Sequence, residues 1–128
     1  MVKYQAGEFT FELDLSEPLY EQVLVQVTLA MARGEVQLGS KMPSIREMAH
    51  SLKVNPNTIM RAYQELERDK LIETRRGQGT YVTESVDKVK EIRHNLASSA
   101  IRTFIESMKK LGIDRETAES FLEEADWK

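Results

Sequence analysis

The stretch KMPSIREMAHSLKVNPNTIMRAYQEL, residues 41–66, contains two helix starts in quick succession. Ser44 and Glu47 have the S-x-x-E spacing of a capping box, and Ile45, Met48, Ala49 and Leu52 recur at helical spacing behind them. Lys53-Val54 then turns the chain. Asn55 is placed to cap a second helix with Pro56 at its first position, where the missing N–H costs nothing. Ile59, Ala62, Tyr63 and Leu66 supply that helix's apolar side. A helix that only packs needs one cap. This one opens Asn-Pro-Asn-Thr, so Asn57 and Thr58 are spare polar side chains in its first turn, available to something outside the fold.

Working upstream, FTFELDL alternates Phe9, Phe11, Leu13 and Leu15 with polar residues, the period of a half-buried strand. A helix is predicted to follow with Pro18 at its first position, burying Leu19, Val23, Val27, Ala30 and Met31, and Gly34 and Gly39 bracket its exit. Downstream, Leu71–Thr74 and Thr80–Thr83 read as strands of a hairpin around RRGQG, where Gly77 and Gly79 permit positive φ. After Glu84 the pattern is helical: Val89, Leu96, Ala100, Phe104, Met108 and Leu111 form one stripe, Gly112 breaks it, and Asp114 caps a last helix carrying Ala118, Phe121, Leu122 and Ala125.

Three helices followed by a hairpin is the order of a winged helix-turn-helix, in which the second helix braces the third and the third enters the major groove of DNA. Short polar side chains and free N–H groups suit the end that meets bases and phosphates, and asparagine can pair with adenine there. The expected fold is therefore mainly α with a small β-hairpin: a winged helix-turn-helix over 1–84 and a helical tail over 85–128.

Composition adds bounds. The 128 residues suit one compact domain or a small domain with an extension. No apolar run approaches the ~20 residues a bilayer span needs, and the opening residues lack a secretory-signal pattern, so a cytoplasmic location without membrane contact is expected. With no cysteine, disulfides and thiolate metal sites are excluded. The net charge of −3 is unevenly spread. Residues 36–83 carry eight basic and five acidic side chains, a local excess of +3, between segments of −4 and −2. DNA responds to the local field.

Residues 42–82, together with PLYEQV upstream, resemble the DNA-binding domain of the GntR family of bacterial transcription regulators. VNPNT, RAYQELE and the short helical tail are similar to its YtrA subfamily in particular. The resemblance implies a homodimeric repressor on a palindromic operator. By matching positions it places Ser44 and Arg46 of the second helix, Asn55, Asn57, Thr58 and then Arg61 of the third, and Gly77, Gln78 and Gly79 of the wing tip against DNA, with Arg46 the candidate for a bidentate guanine contact. Many family members carry arginine where this chain has Pro56, and often a basic residue where it has Met60, so contacts at those two positions do not carry over.

Other readings of the same residues stand beside these. Arg61 has the four-residue spacing to pair with Glu65. Strand alternation sends Arg75 and Arg76 to opposite faces, one toward phosphate and one toward solvent. The GQG tip lacks the lysine-serine ending of a phosphate loop, Tyr63 and Tyr81 read as packing residues, and His50 and His94 lack companions for a metal. No nucleophile–base pair, metal site or cofactor motif emerges, so the chain is not read as an enzyme; family members that carry an aminotransferase-like domain are far longer, and that enzyme activity is not expected here. The tail's two helices cannot bury much core alone. Their stripe, Leu96, Ala100, Phe104, Met108 and Leu111 with Phe121 and Leu122, needs a partner surface, and a second copy of the chain is favoured over the chain's own first domain. The tail looks too small to enclose a private cavity of ~300 Å³, so any small-molecule effector would sit between subunits. The alternative from another class is a winged-helix module that docks proteins.

Overall fold

The computed structural model describes residues 1–128. In chain order its elements are β1 (Val2–Ala6), β2 (Phe9–Leu13), α1 (Leu19–Ala32), α2 (Ile45–Leu52), α3 (Pro56–Arg68), β3 (Ile72–Arg75), β4 (Gly79–Val82), α4 (Val86–Lys110) and α5 (Arg115–Glu124). The chain divides into two compact units, Met1–Arg93 and His94–Lys128, the division falling within α4. Five helices and two small antiparallel hairpins make it mainly α, with the winged helix-turn-helix order intact.

The first hairpin corrects the reading of a lone strand. β1 pairs with β2 from Val2↔Leu13 to Ala6↔Phe9, closed by Gly7-Glu8. Gly7 has φ +60°, the glycine-first requirement of a type II′ turn. Phe9, Phe11 and Leu13 are buried as their alternation predicts, but Leu15 lies outside the strand and is 58% exposed. There the chain leaves the sheet, because the Asp14 carboxylate accepts from the Ser16 amide and hydroxyl and forms a turn. The free edge of β2 is then satisfied by α1. Gln26 accepts from the Glu12 N–H and donates to its carbonyl, and Gln22 does the same for Asp14. Two glutamines one helical turn apart thus replace a third strand. Pro18 sits at the N-cap rather than the first helical position.

The core of the first unit is built from Phe11, Leu13, Val23, Val27, Met48, Leu52, Ile59, Leu66, Ile72 and Val82, each at most 2% exposed. α2 and α3 start as their sequences dictate. Ser44 accepts from the Glu47 N–H while the Glu47 carboxylate accepts from the Ser44 N–H, and Asn55 Oδ1 accepts from the Asn57 N–H with Pro56 opening the helix.

Four helices end in one way, with six-to-one and five-to-two backbone bonds around a left-handed residue, the Schellman arrangement. In α1 and α4 that residue is glycine, Gly34 and Gly112; in α2 and α3 it is lysine, Lys53 at φ 58° and Lys70 at φ 62°. Lys53 makes the tight turn that puts α3 against α2.

The wing pairs Ile72↔Val82 to Arg75↔Gly79, one residue further toward the tip than the sequence reading, and Thr83 N–H to Leu71 C=O extends the ladder behind it. A third segment joins it. Lys41 bridges to Tyr81, Met42 N–H donates to Thr80 C=O, and Val82 N–H donates to Ser40 C=O. The residues leading into α2 are therefore fixed to the wing.

In the second unit Ala118 alone is fully buried, and α4 buries no residue along its whole length. The second part of α4 and α5 flank an open groove of ≈ 770 Å³ lined by Ile101, Phe104, Ile105, Met108, Leu122 and Trp127 among others. The tail thus carries a larger concavity than its length suggested, although an open one.

Candidate nucleic-acid interface

Three segments of the first unit present polar side chains: the start of α2, the start of α3 and the wing tip. Local chemistry sets each. The capping box fixes Ser44 and holds the Glu47 carboxyl below its usual range, chiefly through the Ser44 N–H and then its hydroxyl. Arg46, two residues after Ser44, is exposed. Tyr63, buried on α3, donates its hydroxyl to the Pro43 carbonyl at 2.6 Å, tying the recognition helix to the residue before the α2 cap. Burial, with the Glu47 charge behind it, pushes the Tyr63 phenol far up, so it stays a donor.

At the start of α3, Asn55 spends its side chain on the cap, while the Asn57 and Thr58 side chains are bonded to nothing. Arg61 follows one turn later and does not pair with Glu65. Its guanidinium lies 4.0 Å from the Tyr20 ring centroid, and Glu65 instead accepts from the Tyr20 hydroxyl and lies 3.5 Å from Arg68. That carboxylate is the main cause of a raised Tyr20 pKa.

The two wing arginines differ in a way alternation does not foresee, because Arg76 belongs to the turn. Arg75 folds back onto Tyr81, 4.1 Å from its ring centroid, and bonds Glu73 and Glu84. Arg76 and Gln78 are exposed and their side chains uncommitted. Gly77 and Gly79 have φ of +77° and +119°. A Cβ at Gly79 would stand 2.9 Å from Lys41 Cε, near the free end of a side chain that can swing aside, so the positive φ is what calls for glycine there.

Two cations escaped the sequence reading. Lys41 crosses the wing at Gly79, and Lys53 projects from the α2–α3 turn. Both are exposed and neither has a carboxylate within ion-pair distance. Lone lysines carry no period or motif, so only the turn and the bridge reveal them. The site has no group of three His, Asp or Glu side chains arranged to hold a metal, and no helix is long and apolar enough to cross a membrane.

A braced two-helix motif with an uncommitted polar recognition end, beside a wing with a free arginine and glutamine at its tip, defines a winged helix-turn-helix DNA-binding protein. The chain belongs to the gntR family of bacterial regulatory proteins, which matches residues 19–82. It is 45% identical to the uncharacterized HTH-type transcriptional regulator YhcF of Bacillus subtilis, over 79% of this chain and 84% of that one. It is 39% identical to the HTH-type transcriptional repressor YtrA of the same organism, over 77% and 72%. A solved GntR family transcriptional regulator from Listeria monocytogenes superimposes with a TM-score of 0.82 at 36% identity, covering 89% of this chain and all of that one. The protein is thus a DNA-binding transcription regulator, and the YtrA-like character read from VNPNT and RAYQELE agrees with its relatives.

Proposed function

We propose that this protein represses transcription by binding a palindromic operator as a homodimer, with residues 1–84 on DNA and 85–128 joining the two chains. One observation carries the DNA contact set: Arg46 on α2, Asn57 and Thr58 on α3, and Arg76 and Gln78 in the wing turn have side chains that make no hydrogen bond or ion pair within the chain. Arg46 reads guanine, Asn57 and Thr58 meet bases or phosphate, and Arg76 with Gln78 and the backbone of Gly77 and Gly79 takes the minor groove. Ser44 and Asn55 present their helix ends, Arg61 takes phosphate, and Lys41 and Lys53 join it. Arg75, held by two glutamates, shapes the wing root. In the tail, the exposed apolar side chains of α4 and α5 receive their counterparts from a second chain. Ala100, Phe104, Met108 and Leu122 line the groove, and Leu96, Leu111 and Phe121 add exposed apolar area beside it. A two-fold dimer matches half-sites about one helical turn apart. A small-molecule effector would bind between subunits.

Selection from a random duplex pool tests this, with affinity followed against salt and stoichiometry read by sedimentation. The expected result is a palindrome bound by two chains with a steep negative salt slope. Arg46→Ala should weaken the selected site by about 1–3 kcal/mol and relax one base. No enriched site, with weak salt-insensitive binding, would overturn the proposal in favour of protein docking.

A further inference from the structure

We propose that Tyr20, on α1, is a positioning residue that keeps Arg61 of the recognition helix available to a DNA phosphate; this rests on the Arg61 contact proposed above. Left to helix geometry, Arg61 and Glu65 stand four residues apart on α3, the spacing at which opposite charges pair. That pair would neutralise the guanidinium and turn its donors inward. Tyr20 prevents it in two ways. Its ring lies under the guanidinium, 4.0 Å from centroid to Cζ, which holds the planar group through its face and leaves its N–H edges free. Its hydroxyl donates to Glu65 Oε2, and Arg68 stands 3.5 Å from the other carboxylate oxygen. Glu65 is thereby drawn away from Arg61, which makes no hydrogen bond or ion pair anywhere in the chain. Arg61 lies one turn beyond Asn57 on α3, so the cation continues the polar face of the helix start. One aromatic side chain from a different helix thus settles both which partner the carboxylate takes and which way the arginine points.

The two contacts separate by mutation. Tyr20→Phe keeps the ring and releases Glu65; Tyr20→Leu removes both. Operator affinity and its salt slope should be measured for these, for Arg61→Ala, for Glu65→Gln and for Tyr20→Phe combined with Glu65→Gln, each first checked for folding by its unfolding transition. Arg61→Ala should weaken binding about tenfold and lower the salt slope by about one. Tyr20→Phe should weaken binding about threefold to tenfold, and Tyr20→Leu at least as much. Tyr20→Phe should have almost no effect once residue 65 is glutamine, because no carboxylate is left to capture Arg61. A purely structural tyrosine would show the same loss on either background, and that result would overturn the proposal. So would Tyr20→Phe binding like the wild type. If instead Arg61→Ala keeps wild-type affinity and slope while Arg46→Ala loses binding, the Arg61 contact itself is wrong and the DNA interface stands without it.

Discussion

Asn55 is asked to do two things, and two substitutions pull them apart. Its side-chain oxygen accepts the Asn57 N–H at 2.8 Å, and Pro56 contributes no N–H of its own, so Asn57 offers the first free donor of α3. Asn55→Ala hands that donor to water at an exposed position, a loss of about 1 kcal/mol. For a chain of this size that lowers the melting midpoint by about 3–5 °C. Asn55→Asp keeps the acceptor and adds a negative charge at the positive end of the helix, so stability should stay level or rise by about 0.3–1 kcal/mol. On DNA the order reverses. A carboxylate about 6 Å from a phosphate, at an effective dielectric of about 40, is repelled by about 1.4 kcal/mol, a tenfold loss of affinity. The assay is chemical unfolding at fixed protein concentration beside operator titration at fixed salt. Asn55→Asp should be at least as stable as the wild type and bind about tenfold less tightly; Asn55→Ala should be less stable, with the smaller binding loss. An aspartate variant that binds like the wild type would refute the placement of the α3 start at DNA. An alanine variant with an unchanged unfolding midpoint would refute the cap.

Lysine in a left-handed position costs about 1–2 kcal/mol that glycine avoids, against about 0.5–1 kcal/mol of extra chain entropy, so Lys70→Gly and Lys53→Gly should each stabilise by about 0.5–1 kcal/mol in urea unfolding. Lys70→Gly should leave operator binding alone, whereas Lys53→Gly should weaken it and reduce the salt slope; equal effects would deny Lys53 a phosphate. Tyr63→Phe strips the hydroxyl that satisfies the Pro43 carbonyl, which should destabilise by about 1–2 kcal/mol in the same assay. Glu47 is the pH-sensitive cap. Its folded pKa lies below its unfolded one, so its contribution is present above the ordinary carboxylate value and fades as pH falls through the lowered folded value. The stability gap between the wild type and Glu47→Gln should therefore be present at neutral pH and close in acid; a gap constant from neutral pH into acid would count against the capping box.

What the sequence disclosed depends on how local the cause was. Ser44 with Glu47, and Asn55 with Pro56, act over three residues or fewer, so spacing alone located both helix starts. β1 was missed although Val2, Tyr4 and Ala6 alternate, because the strand is short and only Ala6 is fully buried. Leu15 obeyed the strand period yet fell outside, since the Asp14 turn outranks one more apolar residue. Tyr20 and Glu65 meet across 45 positions, a separation no pattern rule spans. In α4, apolar residues lie on more than one side. The sequence stripe ran through Leu96 and Leu111, which do not line the groove against α5, while Ile101 and Ile105, off that stripe, do, because α5 decides which side of α4 it faces.

The charge balance shows why the global sum misleads. Within 36–83, Arg68 is occupied by Glu65, and Arg75 by Glu73 together with Glu84. Glu67 is turned to the Thr74 hydroxyl, and it lies with Asp69 and Lys70 at the far end of α3. Along α2, its turn, the first half of α3 and the wing tip, that leaves Lys41, Arg46, Lys53, Arg61 and Arg76 without an ion-pair partner, against Glu47, which the capping box holds by two bonds. Pairing therefore sorts the charge. Where acids and bases are mixed they cancel at short range, and the uncompensated cations gather on the segments that carry the polar helix start. An acidic chain can bind a polyanion on these terms, because the screened field a phosphate meets within about 8–10 Å is that of these few side chains. The role proposed for Tyr20 follows from the same sorting: without its contacts to Arg61 and Glu65, helix spacing would return Arg61 to Glu65 and remove one of the five.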